Sequence, residues 1–285
     1  MRERVQRFDV RQTMRKQSFE IFHYNQMTPE EVTVHHHDFY EVFFFLGGKV
    51  TYRAEGQLYH LRPGDILLIN PMVLHQPIIA SDSPDYERII LWVDKAYLEQ
   101  IAGGEGALSR CFEGAERIRL LHLPSSVQRV EMTELLGRLV RECYGNEHGS
   151  SLYAEGLFLQ IMVELNRLAL HAGSRTEGEQ DAPSLVASLL DYINEHYSEN
   201  LSLEGLAKRF FISKYHLSHE FSRAIGTGVY RYIMLRRLTA AKQLLSEGDA
   251  PGEVYIRCGF KDYTSFFRAF KAEYGISPKA FSEGR

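Results

Sequence analysis

The sequence predicts an α+β chain in two parts, a β-rich N-terminal domain followed by an all-helical C-terminal one. Three observations predict it. From about Ser18 to Asp94, short runs of Val, Ile, Phe and Tyr alternate with tight-turn signals. From about Val127 onward, apolar residues recur at helical spacing instead. The last hundred residues also repeat themselves: Phe221-Ser-Arg-Ala-Ile-Gly226 is matched by Phe270-Lys-Ala-Glu-Tyr-Gly275 at a separation of 49.

In the first part the strand runs are Tyr40 to Leu46, Val50 to Ala54, Asp65 to Ile69 and Tyr86 to Val93. Gly47-Gly48, Glu55-Gly56 and Pro63-Gly64-Asp65 separate them as turn signals. Closely spaced strands joined this way suggest a barrel or a sandwich. Two helices follow, about Val127 to Tyr144 and Ser151 to His171. In the second, Leu157, Ile161, Leu165 and Leu168 share one face. Residues 173–183 are polar and aperiodic and read as a linker. The expected division is therefore 1–172, a linker at 173–183, and 184–285.

Composition narrows the function classes. The 44% apolar and 25% charged content is that of a chain that buries a core. Cys111, Cys143 and Cys258 are far apart, odd in number and never spaced as Cys-x-x-Cys, which points away from a disulfide framework or a cysteine zinc site. A reducing cytoplasm is the expected compartment. Met1-Arg2-Glu3-Arg4 opens a polar stretch, and no run is long and apolar enough to span a bilayer, so no membrane partner is expected. Arg2, Arg4, Arg7, Arg11, Arg15 and Lys16 form a basic arm, expected to be flexible. Net charge is −4, yet from Ser184 onward 14 Lys and Arg face 11 Asp and Glu, a balance of +3 against −7 for the rest. The asymmetry is weak support for nucleic-acid contact at one end, and chance placement accounts for it equally well.

The repeat extends past its Phe and Gly anchors. Leu217 corresponds to Phe266, Val229 to Pro278 and Tyr232 to Phe281. Each copy reads as a short helix, a turn and a longer helix. In the first, Ser202 is an N-cap, Phe210-Phe211-Ile212 the turn, Ser213 the second N-cap and Gly226 the stop. In the second, Gly259 marks the turn, Asp262 starts a helix with Phe266, Phe270 and Tyr274 on its inner stripe, and Gly275 closes it. A long helix from about Val229 to Ser246 joins the copies. The stretches LSLEGLAKRFFISKYHLSHEF, YIMLRRLTAAKQLL and CGFKDYTSFFRAFKAEYGISPKAF closely resemble the AraC-type DNA-binding domain with its two helix-turn-helix units. Two features depart from that pattern: Tyr255 stands where a small residue is usual, and Pro251-Gly252 opens the short helix before Gly259. Proline suits the first position of a helix.

In a helix-turn-helix the second helix enters the major groove. Lys214, Tyr215, Ser218 and His219 face outward in the first unit, and Tyr263, Thr264, Ser265 and Arg268 in the second, with Lys261 and Asp262 beside them. The resemblance implies base contacts at Tyr215, Ser218, His219, Thr264 and Arg268. Arg268 is the foremost, since one guanidinium can bond guanine O6 and N7 together. The alternative for each is a phosphate contact or a solvated helix face. Arg237 matches a family position that is structural rather than base-reading.

Upstream, Val34-His35-His36-His37-Asp38-Phe39-Tyr40-Glu41, then Pro63-Gly64-Asp65, Pro71 and His75, resembles a cupin barrel of the kind fused to AraC-type domains. His35 and His37, two apart on a strand, point the same way, and His36 is expected to face solvent. The resemblance implies that His35, His37, Glu41 and His75 converge inside the barrel. These four, with Trp92, form the expected effector site, and Phe43 and Phe45 are expected core. The same four residue types suit a divalent metal. A metal-free pocket for a sugar or related metabolite is placed ahead of the metal, so no cofactor is required.

The implied protein is a sequence-specific DNA-binding regulator that responds to a small-molecule effector and is not an enzyme. Its expected partners are double-stranded DNA, the effector, a second copy of itself through the helices Val127–Tyr144 and Ser151–His171, and, for an activator, RNA polymerase. Two other classes compete. A metal-dependent cupin enzyme leaves the double helix-turn-helix unexplained, and a purely structural DNA-binding protein leaves the His and Glu cluster unexplained.

Overall fold

The computed structural model describes residues 13–26, 34–80, 83, 86–102, 108–113, 117–123, 125–171 and 185–283. The linker at 173–183 and Arg2, Arg4, Arg7 and Arg11 of the basic arm lie outside the described residues. The chain divides into two compact units, one ending with the helix at His171 and one beginning with the helix at Leu185.

The N-terminal unit contains strands β1 (Phe19–Gln26), β2 (Tyr40–Gly47), β3 (Val50–Ala54), β4 (Gln57–His60), β5 (Ile66–Ile69), β6 (His75–Ile79), β7 (Tyr86–Val93) and β8 (Ile118–Leu121). Helix α1 (Lys95–Ile101) precedes β8, and α2 (Ser126–Tyr144) and α3 (Ser150–His171) follow it. The strands form two sheets. One has five strands in the order β1-β7-β2-β5-β8 and the other three in the order β4-β3-β6. β5 begins one residue later than the apolar pattern suggests, because Asp65 turns its carboxylate back to accept the Arg62 amide and ends the Pro63-Gly64 turn.

β2 is the centre of the larger sheet, so both of its faces are buried. This explains the unbroken run Val42-Phe-Phe-Phe-Leu46, which shows no polar alternation. Val42 and Phe44 face a core shared with Ile66, Leu91 and the inner stripes of α2 and α3. Phe43 and Phe45 face a second core between the sheets, with Tyr52, Leu67 and Tyr86. On α3 the buried stripe includes Leu157, Ile161 and Leu165, and Leu168 packs at its margin, as the spacing requires. β1, β4, β6 and β8 are not among the strand runs read from the sequence; Gln-Leu-Tyr-His of β4 carries little β-branched signal, and β6 holds a proline at its centre, which argues against a strand.

The C-terminal unit is all helical among its described residues: α4 (Leu185–His196), α5 (Leu203–Arg209), α6 (Lys214–Ile225), α7 (Val229–Ser246), α8 (Pro251–Arg257), α9 (Tyr263–Tyr274) and α10 (Pro278–Glu283). Its boundaries are set by side chains. Ser202, Ser213 and Asp262 accept the amides of Gly205, His216 and Ser265, each three residues on. Gly226 and Gly275 end α6 and α9 in the left-handed conformation. Arg237 on α7 donates to the carbonyls of Tyr197 (2.8 Å) and Glu199 (2.6 Å), tying down the chain after α4, which is a structural role. Tyr255 packs its ring edge-on to Tyr263, 5.8 Å between centroids, and so finds its space beside the second longer helix.

Candidate functional site

The first candidate site lies between the sheets of the N-terminal unit. Trp92 on β7 is the cross-strand partner of Glu41 on β2, and its indole Nε1 donates to Glu41 Oε2 at 2.9 Å. The Tyr52 hydroxyl lies 3.5 Å from the other oxygen. His75 opens β6 and is held by an isolated bridge to His35, with both amides donating to the opposite carbonyls at 3.0 and 3.1 Å. His37 stacks flat on Phe39, 4.1 Å between centroids. Tautomers follow from the partners. A carbonyl can only accept, so His37 Nδ1 donates to Phe39 O (2.9 Å) and His75 Nδ1 to Val73 O (2.8 Å). Each ring then turns Nε2 inward.

Those two Nε2 atoms are buried without a hydrogen-bond partner. His37 Nε2 is 3.2 Å from Glu41 Oε2, within ion-pair reach but outside hydrogen-bond geometry. One donor atom each from His37, Glu41 and His75 lies within 4.8 Å of the others. Leaving a buried polar group unsatisfied costs about 1–3 kcal/mol, and two in one place is an arrangement that calls for an occupant. Burial alone would raise the Glu41 carboxyl, but the neighbouring His37, with His75 and His35 behind it, holds it down to about 2. Burial pushes His75 well below the ordinary histidine range, reinforced by His35 and His37 against Glu41.

Three of the four expected residues therefore converge. His35 does not join them; its ring stands 4.3 Å from that of His75, at the side of the site. His36 is buried rather than solvated. The reason in both cases is that the segment around them is no regular strand beyond the His35–His75 bridge, so period-two alternation does not apply. Sequence reasoning also passes over three interior residues. Tyr52 and Phe39 pack directly against the site, and Arg88 is buried with its guanidinium 4.1 Å from the Tyr86 ring centre and 4.9 Å from that of Tyr24. The signal for Arg88 was present: it shares strand parity with Trp92, so a positive charge faces inward on β7.

The second candidate site is the outer face of α6 and α9. Leu217, Phe221 and Ile225 of α6, and Phe266 and Phe270 of α9, are buried. The opposite faces carry Lys214, Tyr215 and His219, and Tyr263, Thr264, Ser265 and Arg268, all exposed, with Ser218 half-buried. Tyr215 and His219, one turn apart, hold their rings nearly parallel at 6.1 Å. Lys214 pairs with Glu204 across the turn. Ser265 is the one residue of the set already engaged in building its helix, since both its amide and its hydroxyl donate to Asp262. Each helix thus carries exposed polar and aromatic side chains towards its N-terminus, which suits contact with a phosphate-lined groove.

Comparison with known proteins agrees with both halves. Residues 18–162 match the family model of an AraC-like ligand binding domain, and residues 206–284 match that of a helix-turn-helix domain. The HTH-type transcriptional activator RhaS of Salmonella arizonae is 27% identical over 259 residues, covering 88% of this chain and 87% of that protein. Among solved structures, unsaturated fatty acid-bound ToxT from Vibrio cholerae covers 94% of this chain and 97% of its own, at 13% identity and a TM-score of 0.43. The DNA-binding domain of AdpA in complex with a target DNA covers 34% of this chain and 89% of its own, at 27% identity and a TM-score of 0.34.

Proposed function

We propose, from the premise that this chain belongs to the AraC family of DNA-binding transcription regulators, that a small-molecule effector bound between its N-terminal sheets controls its grip on specific DNA sites. The observation that carries the proposal is the pairing of a buried polar cluster in one unit with two exposed helix faces in the other. His37, Glu41, His75 and Trp92, with His35 at the side, form the effector site. A sugar or related hydroxylated metabolite fits imidazole, carboxylate and indole groups that can donate and accept in turn. The role assigned to these residues is binding, and no reaction is assigned to them.

Tyr215, Ser218, His219, Thr264 and Arg268 are the base readers, and Lys214, Tyr263 and Ser265 support the seating. α7, the 18-residue connecting helix, is a rigid spacer. It would hold α6 and α9 in successive major grooves roughly 34 Å apart, so one subunit would cover two short elements on one face of the duplex. A second copy is the expected partner of α3, whose outward face leaves Leu152, Leu159, Val163 and Leu170 exposed at helical spacing. DNA as a partner implies work in the cytoplasm. If the chain activates, RNA polymerase is its further partner.

Two measurements test this. Selection of binding sites from a random duplex pool with the full-length protein should recover a two-part site. Arg268→Ala should then weaken binding by about 1–3 kcal/mol and relax preference at one base pair; an equal loss on every sequence would make Arg268 a phosphate contact. In sedimentation at micromolar concentration the wild type should be dimeric and Leu159→Glu monomeric, and a monomeric wild type would remove the self-association arm of the proposal.

A further inference from the structure

We infer that the Arg231–Glu273 ion pair braces the two helix-turn-helix copies against each other, and that these two positioning residues set the spacing at which the chain reads a two-part DNA site. The inference rests on the DNA-binding reading above and adds which contact fixes its geometry. The two charges stand where their own helices do not favour them. Arg231 is the third residue of α7, and Glu273 is the last but one of α9. A helix N-terminus carries partial positive charge and a C-terminus partial negative charge. A cation in a first turn and an anion in a last turn are therefore both misplaced locally. The fold brings them together: Arg231 Nη2 donates to Glu273 Oε2 at 2.6 Å, across 42 residues of sequence. The Glu273 side chain is only 17% exposed. Charges that break a local rule and are matched only in tertiary structure mark a demand of the whole fold.

The internal repeat says that this demand is not that of a single copy. Its separation of 49 sets Ala280 against Arg231 and Ala224 against Glu273. A helix-turn-helix copy thus forms without a charge at either position, and the pair belongs to the junction. Its place on α7 shows what it joins. Met234, Leu238, Ala241 and Leu245 follow Arg231 at intervals of three or four and pack in one core with Phe266 and Phe270 of α9. Lys242, on the same side, lies 5.0 Å from the centre of the Tyr274 ring. Tyr232, next to Arg231, is held by the first copy. Its ring stands edge-on to Phe221 of α6 at 5.5 Å, and its hydroxyl donates to Asn194 of α4 at 3.1 Å. The first turn of α7 is therefore fastened to the first copy while its Arg231 grips the C-terminal end of α9. The readers begin at the other end of α9, with Tyr263 ten residues before Glu273, roughly 15 Å at 1.5 Å per residue. The aromatic core holds α9 near its middle, so a tilt moves both ends, and fixing Glu273 steadies the reading end. A solvent-facing ion pair adds little to stability, so its loss should show in geometry rather than in folding.

The test uses full-length protein and duplexes carrying the selected two-part site, with one base pair added or removed between its elements. One base pair moves an element by about 3.4 Å along the axis. Wild type should lose at least 10-fold in affinity on either altered duplex. Glu273→Gln should lose at most threefold, with an unchanged melting temperature, and Arg231→Glu combined with Glu273→Arg should restore the full penalty. Equal weakening on all three duplexes by Arg231→Gln, with none from Glu273→Gln, would make Arg231 a phosphate contact and overturn the brace. A second measurement needs no DNA. Spin labels are placed on cysteines introduced at the exposed His216 of α6 and Lys271 of α9 in a Cys143→Ser background, since Cys111 and Cys258 are buried. Diluted with unlabelled protein, the wild type should give a narrow distance distribution by pulsed electron resonance and Glu273→Gln a broader one. An unchanged spacing penalty or an unchanged width overturns the inference. Failure of the DNA-binding reading shows differently, as a pool selection that recovers no two-part site while the distances still respond to Glu273→Gln.

Discussion

The two units place their chemistry on opposite sides of their own surfaces. In the C-terminal unit the aromatic residues Phe221, Phe266 and Phe270 are buried, and the candidate readers Tyr215, His219 and Arg268 stand outside. In the N-terminal unit His37, Glu41, His75 and Arg88 are themselves buried, inside the space between two sheets. The difference teaches where each kind of ligand can be met. A duplex is larger than the domain and must be met on an exterior face, whereas an ion or small molecule can be enclosed. It also puts the candidate functional residues apart from the buried scaffold in one unit and within it in the other.

That separation can be tested most strongly on the aromatic stripe of α9. Phe270 is fully buried among Phe266, Tyr274 and Phe281, so Phe270→Ala should destabilise the protein by about 3–5 kcal/mol. Arg268→Ala, two residues away and exposed, should leave stability within about 0.5 kcal/mol while weakening DNA binding. Urea unfolding of both variants makes the comparison, and a similar loss from each would mean that readers and scaffold are not distinct on α9.

The two helix-turn-helix copies sharpen the contrast within one unit. Both turns close in the same way: the amide of Ile212 bonds the carbonyl of Ala207, and that of Phe260 bonds Tyr255, each five residues back. The left-handed residue is Gly259 in the second copy (φ +80°) but Phe211 in the first (φ +56°). A Cβ on Gly259 would meet the Ser198 carbonyl oxygen at 2.4 Å. Gly259→Ala should therefore cost at least ~2 kcal/mol, the left-handed strain and the backbone clash together. Thermal melts of the full chain measure it, and an unchanged melting temperature would show that the backbone at Ser198 gives way to the added methyl without cost.

The smallest effect should have the opposite sign. Phe211 bears the strain of a positive φ, yet its side chain is 95% exposed and contributes little packing. Relief of that strain is worth about 1–2 kcal/mol, and the added chain entropy of glycine takes back about 0.5–1. Phe211→Gly should stabilise by about 0.5–1 kcal/mol in the same melts. Destabilisation instead would mean that the exposed ring makes a contact that matters to the fold.

The sequence by itself determined the helical unit almost completely. Ser202, Ser213, Asp262, Gly226, Gly259 and Gly275 each act on amides or carbonyls within a few residues, so helix starts, turns and stops are local events, and the repeat places them twice. It also determined three of the five strands of the larger sheet, β2, β5 and β7, through β-branched and aromatic content, and left β1 and β8 unread. It named His37, Glu41, His75 and Trp92 as one set but did not determine how they come together. Tertiary structure decided that Glu41 meets Trp92, 51 residues away, because that contact depends on the β2–β7 register. It also decided that His75 joins His37 while His35 stands aside, because a loop and a single bridge, not strand alternation, aim those rings. Local chemistry fixes what four or five neighbouring residues do to one another. Convergence inside a two-sheet core depends on distant strands packing, and no short window of sequence contains it.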